Sequence, residues 1–167
     1  GADTLTAKLN SATTHLAVMD SIETLNFNVL AASTMSGANI TGETAVNVTG
    51  SDVLTYTLGV AGTAYSVAET AGLTLTQVGT DSAADSITAT LNTGKVGVLT
   101  LGTSAAVDFE TINLVVAGAT TATVTEAGTP TFADVGDSIV VTGSGDITLN
   151  VAATSLGAHI SAGVKSV

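Results

Sequence analysis

Along most of the chain apolar and polar residues alternate with a period of two, the spacing of a strand with one buried face. "DTLTAKLN" turns Leu5, Ala7 and Leu9 to one side, and "LNFNV" turns Leu25, Phe27 and Val29 inward with Asn26 and Asn28 outward. The same rule puts Leu54, Tyr56 and Leu58 of "VLTYTL", Leu73 and Leu75 of "LTLT", and Ile87, Ala89 and Leu91 of "SITATLN" on inner faces. Further strands are expected at "TINLVV", "TATVT", "SIVVTG" and "DITLNV". Between them stand breaks such as "MSGAN", "TGSD", "VGTDS", "EAGTP", "DVGDS" and "GSGD", whose Gly, Asp, Asn and Ser suit turns. No long stripe of helical period is present. Helix is expected to be scarce, with room for one turn in "SATTHLAVMDSIETL" and another in "ATSLGAHISAG".

Composition points the same way. The chain has 167 residues, of which 45% are hydrophobic and only 3% aromatic, so its core must be built from Ala, Val, Leu and Ile. Small aliphatic cores suit thin, layered structures. There are 31 threonines against a single proline, and β-branched side chains pack well on a pleated surface.

The strongest organising signal is an internal repeat. "DTLTAKLN" (3–10) matches "DSITATLN" (85–92) at five of eight positions, and "IETLNFNV" (22–29) matches "FETINLVV" (109–116) at four of eight. "VTGS" at Val48 returns at Val141. Three markers in the same order define two duplicated units, 1–84 and 85–167, with the boundary near "VGTDSAAD". Two architectures accommodate such units. One is a parallel β-solenoid, a β-helix in which each unit supplies several rungs around a thin aliphatic core. The alternative is two tandem β-sandwich modules of immunoglobulin-like size. Thr and Asn rows, small core residues and the lack of Trp favour the all-β solenoid.

Charge excludes several function classes. Three Lys, no Arg and 14 carboxylates give a formal net charge of -11, which lacks the cationic footprint that nucleic acid or an anionic membrane requires. No run of about 18 apolar residues marks a membrane-inserted helix. With no cysteine there are no disulfides, thiol nucleophiles or thiolate metal sites. His15 and His159 are the only imidazoles, and neither accompanies a G-x-S-x-G elbow. The chain is expected not to be an enzyme. It begins at Gly1 directly in strand-like alternation, without a signal-peptide pattern, and reads as an interior piece or a processed product.

The order "GADTLTAKLN", "IETLNFNV", "NITGETAVNVTGSDVLTYTLG", followed by "ADSITATLN", "FETINLVVAG" and "DSIVVTGSGDITLNVAATSLGAHISAGVKSV", resembles the repeat regions of bacterial surface-layer proteins and RTX-associated, type I-secreted adhesins. The likeness covers nearly the whole chain and lies in composition and strand order. It implies an extracellular protein of the bacterial cell surface that assembles with copies of itself into a lattice or filament, with calcium as a strengthening ion and cell-surface polysaccharide as a further partner. The chain departs from that pattern in having no intact G-G-x-G-x-D-x-U-x nonapeptide and no recognisable C-terminal secretion region.

Calcium takes oxygen ligands, and turns that set Asp beside Gly present both carboxylates and carbonyls. The candidate ligands are Asp52 in "TGSDV", Asp81 and Asp85 in "GTDSAAD", Asp134 and Asp137 in "ADVGDS", and Asp146 in "GSGDI". The pairs Asp81 with Asp85 and Asp134 with Asp137 stand out, because two carboxylates can converge in one loop. The plainer role of each is that an Asp in a turn hydrogen-bonds its own backbone. Glu23 and Glu110 hold the same place in the repeated motif and read as strand-end carboxylates facing solvent. Asn39 and Asn47 satisfy the glycosylation sequon, a match that a Thr-rich chain produces readily. The rival function is a tandem-sandwich binding module for carbohydrate or a host protein, for which Tyr56 and Tyr65 are the available tyrosine platforms.

Overall fold

The computed structural model describes residues 1–59, 63–68, 71–77, 86–92, 96–102, 111–116, 120–127, 138–143 and 147–151. Each alternating segment forms a strand, and each short break swings the chain onto a different sheet instead of returning it beside the strand it has just left. The first coil comprises β1 (Thr4–Leu9), β2 (Thr14–His15) and β3 (Met19–Asp20). The second repeats this as β4 (Thr24–Val29), β5 (Ser33–Ser36) and β6 (Ile40–Thr41). Among the described residues the later coils carry two strands each: β7 (Ala45–Gly50) with β8 (Val53–Gly59), β9 (Ala64–Ala68) with β10 (Gly72–Gln77), and β11 (Ser86–Asn92) with β12 (Val96–Gly102). The last are β13 (Thr111–Val116) with β14 (Thr120–Ala127), and β15 (Ser138–Gly143) with β16 (Ile147–Val151).

Stacked coils form two seven-stranded sheets, β1-β4-β7-β9-β11-β13-β15 and β16-β14-β12-β10-β8-β5-β2, with a small third side made by β3 and β6. Every strand pairing among the described residues is parallel. The chain is therefore an all-β parallel solenoid, as the alternation and the small aliphatic core led us to expect. Tandem β-sandwiches are ruled out, since their sheets are antiparallel. The ladders β9–β11 and β10–β12 carry both sheets across the boundary between residues 84 and 85.

Register converts the period-two pattern into columns. On the first sheet Leu5, Leu25, Val46, Tyr65, Ala89, Leu114 and Val141 occupy one column, and Leu25, Val46, Ala89, Leu114 and Val141 are completely buried. Large and small alternate where Tyr65 sits against Ala89, which keeps the thin core filled. On the second sheet His15, Met35, Tyr56 and Leu75 share an inner column, and Ser33, Leu54 and Leu73 another. Residues of both sheets contribute to a single hydrophobic cluster.

The sequence markers recur at a constant interval in strand order, although the columns slip by two residues between the units, Leu25 lining up with Leu114 and not with Ile112. β1 and β11, β4 and β13, and β7 and β15 are each four positions apart in the order of the first sheet. "VTGS" also has a mechanical reason. Gly50 ends β7 with φ 108° and Gly143 ends β15 with φ 117°, and a Cβ on either would run into the backbone carbonyl oxygen of the strand below, Val29 or Val116. Only glycine combines that left-handed backbone with so close an approach.

"SATTHLAVMDSIETL" holds no helical turn; it contains β2, β3 and the start of β4. Stacking on the next coil takes its backbone, with Thr34 N–H donating to the Thr13 carbonyl at 3.0 Å and Met19 N–H to the Asn39 carbonyl at 2.9 Å. "ATSLGAHISAG" lies outside the described residues.

Candidate functional site

Of the six candidate calcium ligands only Asp52 lies among the described residues; Asp81, Asp85, Asp134, Asp137 and Asp146 fall outside them. Asp52 stands half-buried at the corner between β7 and β8. Its Oδ1 accepts from the Val53 N–H at 2.8 Å, and its own N–H donates to the Val29 carbonyl at 3.2 Å. This is the turn role of an aspartate. Among the described residues no three of His, Asp and Glu gather closely enough to hold a metal ion.

Glu23 precedes β4 and is half-buried, its Oε2 accepting from the Asp3 N–H at 2.6 Å, so it ties the first coil to the second. Glu110 and His159 lie outside the described residues. His15 occupies the inner column below Met35, and its Nε2 is buried with no hydrogen-bond partner among the described residues. The two sequon asparagines differ sharply. Asn39 is exposed in a turn, whereas Asn47 is half-buried on β7 with its side chain engaged on both sides.

That engagement belongs to a polar ladder along the outside of the first sheet. Asn26 Nδ2 donates to Thr6 Oγ1 at 3.4 Å, Asn47 Nδ2 to Asn26 Oδ1 at 2.8 Å, and Ser66 Oγ to Asn47 Oδ1 at 2.6 Å. The second sheet carries a threonine row: Thr14, Thr34, Thr55, Thr74, Thr100 and Thr125 hold consecutive register positions over six strands. Neighbouring strands in a sheet lie about 4.8 Å apart, so such a row repeats one hydroxyl-bearing position at that interval.

One buried polar cluster was invisible to the reading of the sequence. Glu43 is 6% exposed, and Tyr56 Oη donates to its Oε1 at 3.4 Å, while Oε2 is buried with no hydrogen-bond partner among the described residues. Thr63 Oγ1 donates to the Glu43 carbonyl at 3.4 Å, and the Tyr56 and Tyr65 rings meet edge to face at 6.4 Å. Burial pushes the Tyr56 phenol well above its ordinary value, and the Glu43 carboxylate adds to the shift. Burial likewise raises Tyr65, against a hydrogen bond with Thr63 that lowers it. With the register of β4 on β7, Glu43 falls one coil beyond Ile22, which packs against the core. A Glu at an aliphatic place of the coil is a legible signal once the coil length is known, and the longer duplication conceals that length.

The remaining feature is the N-terminal end of the stack. β1 and β2 are the terminal strands of their sheets, each paired on one side. Leu5 and Ala7 are only partly covered, whereas Leu25 and Phe27 one coil further in are sealed, and Leu16 and Val18 stand 76% and 81% exposed. The class of protein these features define is a parallel β-solenoid with polar ladders on its outer faces. No protein family, curated protein or solved structure matches the chain.

Proposed function

We propose that the chain is a structural, non-enzymatic segment of a bacterial surface-layer or type I-secreted adhesin-type protein, working outside the cell as a β-rod that assembles with copies of itself into a lattice or filament. The observation that carries this reading is the parallel stack of two seven-stranded sheets among the described residues. A solenoid makes contacts only between neighbouring coils, so it is built to be extended and to present long regular faces. Its outer rows are Thr, Asn and Ser, which join coil to coil and offer hydroxyls and amides for side-by-side packing. The net charge of -11 keeps free copies apart, and divalent cations bridging the carboxylates bring them together. Calcium is the ion suited to the Asp-bearing turns, with the pairs Asp81 and Asp85 and Asp134 and Asp137 foremost.

The test is imaging together with light scattering of concentrated protein, in calcium and in chelator. Ordered lattices or filaments in calcium that dissolve on chelation are the expected result. A chain that stays monomeric in both conditions overturns the proposal.

A further inference from the structure

We infer that the outer face of the second sheet, centred on Thr34, Thr55 and Thr74, binds the surface of an ice crystal. This reading stands apart from the self-assembly proposed above and concerns a face that the stacking of coils itself builds.

The face follows from register. Met35, Leu54, Tyr56, Leu73 and Leu75 are buried in the core, so alternation turns the residues between them outward. On β5, β8 and β10 these make two parallel rows: Thr34, Thr55 and Thr74 in one, Ser36 and Thr57 in the other, with Thr76 next in register. In sequence the rows are the triplets "TMS", "TYT" and "TLT", one to a coil. The first row continues by register to Thr14 in one direction and to Thr100 and Thr125 in the other. Between β8 and β10 the register shifts only after Thr76, so both rows stay in step.

Spacing and stiffness point to the partner. Neighbours along a row are about 4.8 Å apart, and the two rows are separated by two residues of strand, about 6.6 Å. Hexagonal ice sets its surface oxygens at comparable intervals in two directions, so a threonine falls near each lattice repeat over several coils. Each threonine brings a hydroxyl for one water position and a methyl for the hollow beside it. Thr34, Thr55, Thr57 and Thr74 are half-buried, and β-branched side chains are restricted at χ1. Thr57 Oγ1 also donates to the Met35 carbonyl at 3.5 Å. A face held this firmly loses little conformational freedom on meeting a rigid solid.

The same face is poorly suited to other partners. No outward residue of β5, β8 or β10 up to Thr76 is charged, although the chain carries a net charge of -11. Lys8 lies on the first sheet, Asp20 on the third side and Asp52 at the corner between β7 and β8. A neutral face exerts no pull on a charged mineral or polyion. Sugar polymers are gripped by exposed aromatic rings. The described rings, Phe27, Tyr56 and Tyr65, are only 1%, 0% and 4% exposed. A neutral, periodic array of hydroxyls and methyls fits a solid whose own hydrogen-bonding groups repeat at that period.

The test freezes a dilute, monomeric solution of the protein slowly and measures the share taken into ice, while thin frozen films report the growth of ice grains. Wild type is expected to enter the ice and arrest grain growth. Thr55→Lys should keep its circular dichroism and enter ice at least about tenfold less, because a hydrated charge now stands in the middle of the face. Thr4→Lys, an exposed change on the first sheet, should match wild type. If Thr55→Lys loses its strand signal, Ser36→Lys reads the same face. A wild-type chain that the ice excludes, or a folded Thr55→Lys that enters ice as wild type does, overturns the inference. So does binding to crystalline cellulose or chitin that Thr55→Lys abolishes in a chain that ice excludes, which would assign the face to polysaccharide. The measurement is made on single chains, so its failure leaves the proposed assembly standing.

Discussion

Asn47 sits one coil beyond Asn26, and its Nδ2 donates to the Asn26 Oδ1 at 2.8 Å while its own Oδ1 accepts from Ser66 at 2.6 Å. One side chain thus joins three coils on a half-buried face, where hydrogen bonds are less exposed to competing water. Asn47→Ala is expected to cost about 1–3 kcal/mol, because it removes both bonds and strands the Asn26 oxygen. A double-mutant cycle with Asn26→Ala in denaturant unfolding should return a coupling of roughly 0.5 kcal/mol or more. Strict additivity would show that the ladder contributes nothing as a ladder.

Gly50 is irreplaceable for a steric reason. Its φ of 108° and the closeness of the Val29 carbonyl oxygen leave no space for a Cβ. Gly50→Ala should destabilise the fold by roughly 3 kcal/mol or more, visible as a large drop in melting temperature. Gly42→Ala should cost less: its φ is 87°, but the nearest atom to an added Cβ is Ser21 Cα at 3.1 Å. Equal losses at the two sites would count against close backbone approach as the cause.

The buried tyrosines set an alkaline limit. Tyr56 and Tyr65 keep their protons in the folded state well above the ordinary value of 10.0, chiefly because burial disfavours the phenolate. Below pH 10 both folded and unfolded chains hold these protons, and the full stability is present. Above it the unfolded chain releases them and the folded chain does not, so stability falls by up to about 1.4 kcal/mol per pH unit for each tyrosine. Tyrosinate absorbance should therefore rise together with the loss of strand signal. A tyrosinate rise centred near pH 10 in a chain that stays folded would contradict the burial.

Glu43 and Tyr56 are coupled through a long hydrogen bond inside an aliphatic core. Tyr56→Phe alone should cost about 1–3 kcal/mol, since it takes the partner from a buried carboxylate oxygen. Combined with Glu43→Ile, which copies the Ile22 of the preceding coil, the same change should be neutral or stabilising. Denaturant midpoints of the two single variants and the double variant decide this, and a double variant weaker than Tyr56→Phe would reverse the expectation.

The sequence by itself determined the local state almost everywhere. Period two, abundant threonine and a core without tryptophan prescribe strands, and the described inner residues Leu25, Phe27, Val29, Leu54, Tyr56, Leu73, Leu75 and Ala89 are buried as the alternation required. It also shows that "DTLTAKLN", "IETLNFNV" and "VTGS" have matches later in the chain in the same order. Tertiary structure alone decided the coil length and the neighbours. Alternation records which face a residue takes, but it is silent about which strand lies alongside, and the coils lengthen from 20 residues between Thr4 and Thr24 to 27 between Thr111 and Ser138. Unequal coil lengths blur a short repeat in the sequence. For that reason the Asn26–Asn47 ladder, the threonine row from Thr14 to Thr125 and the burial of Glu43 appear only when coils are stacked in register.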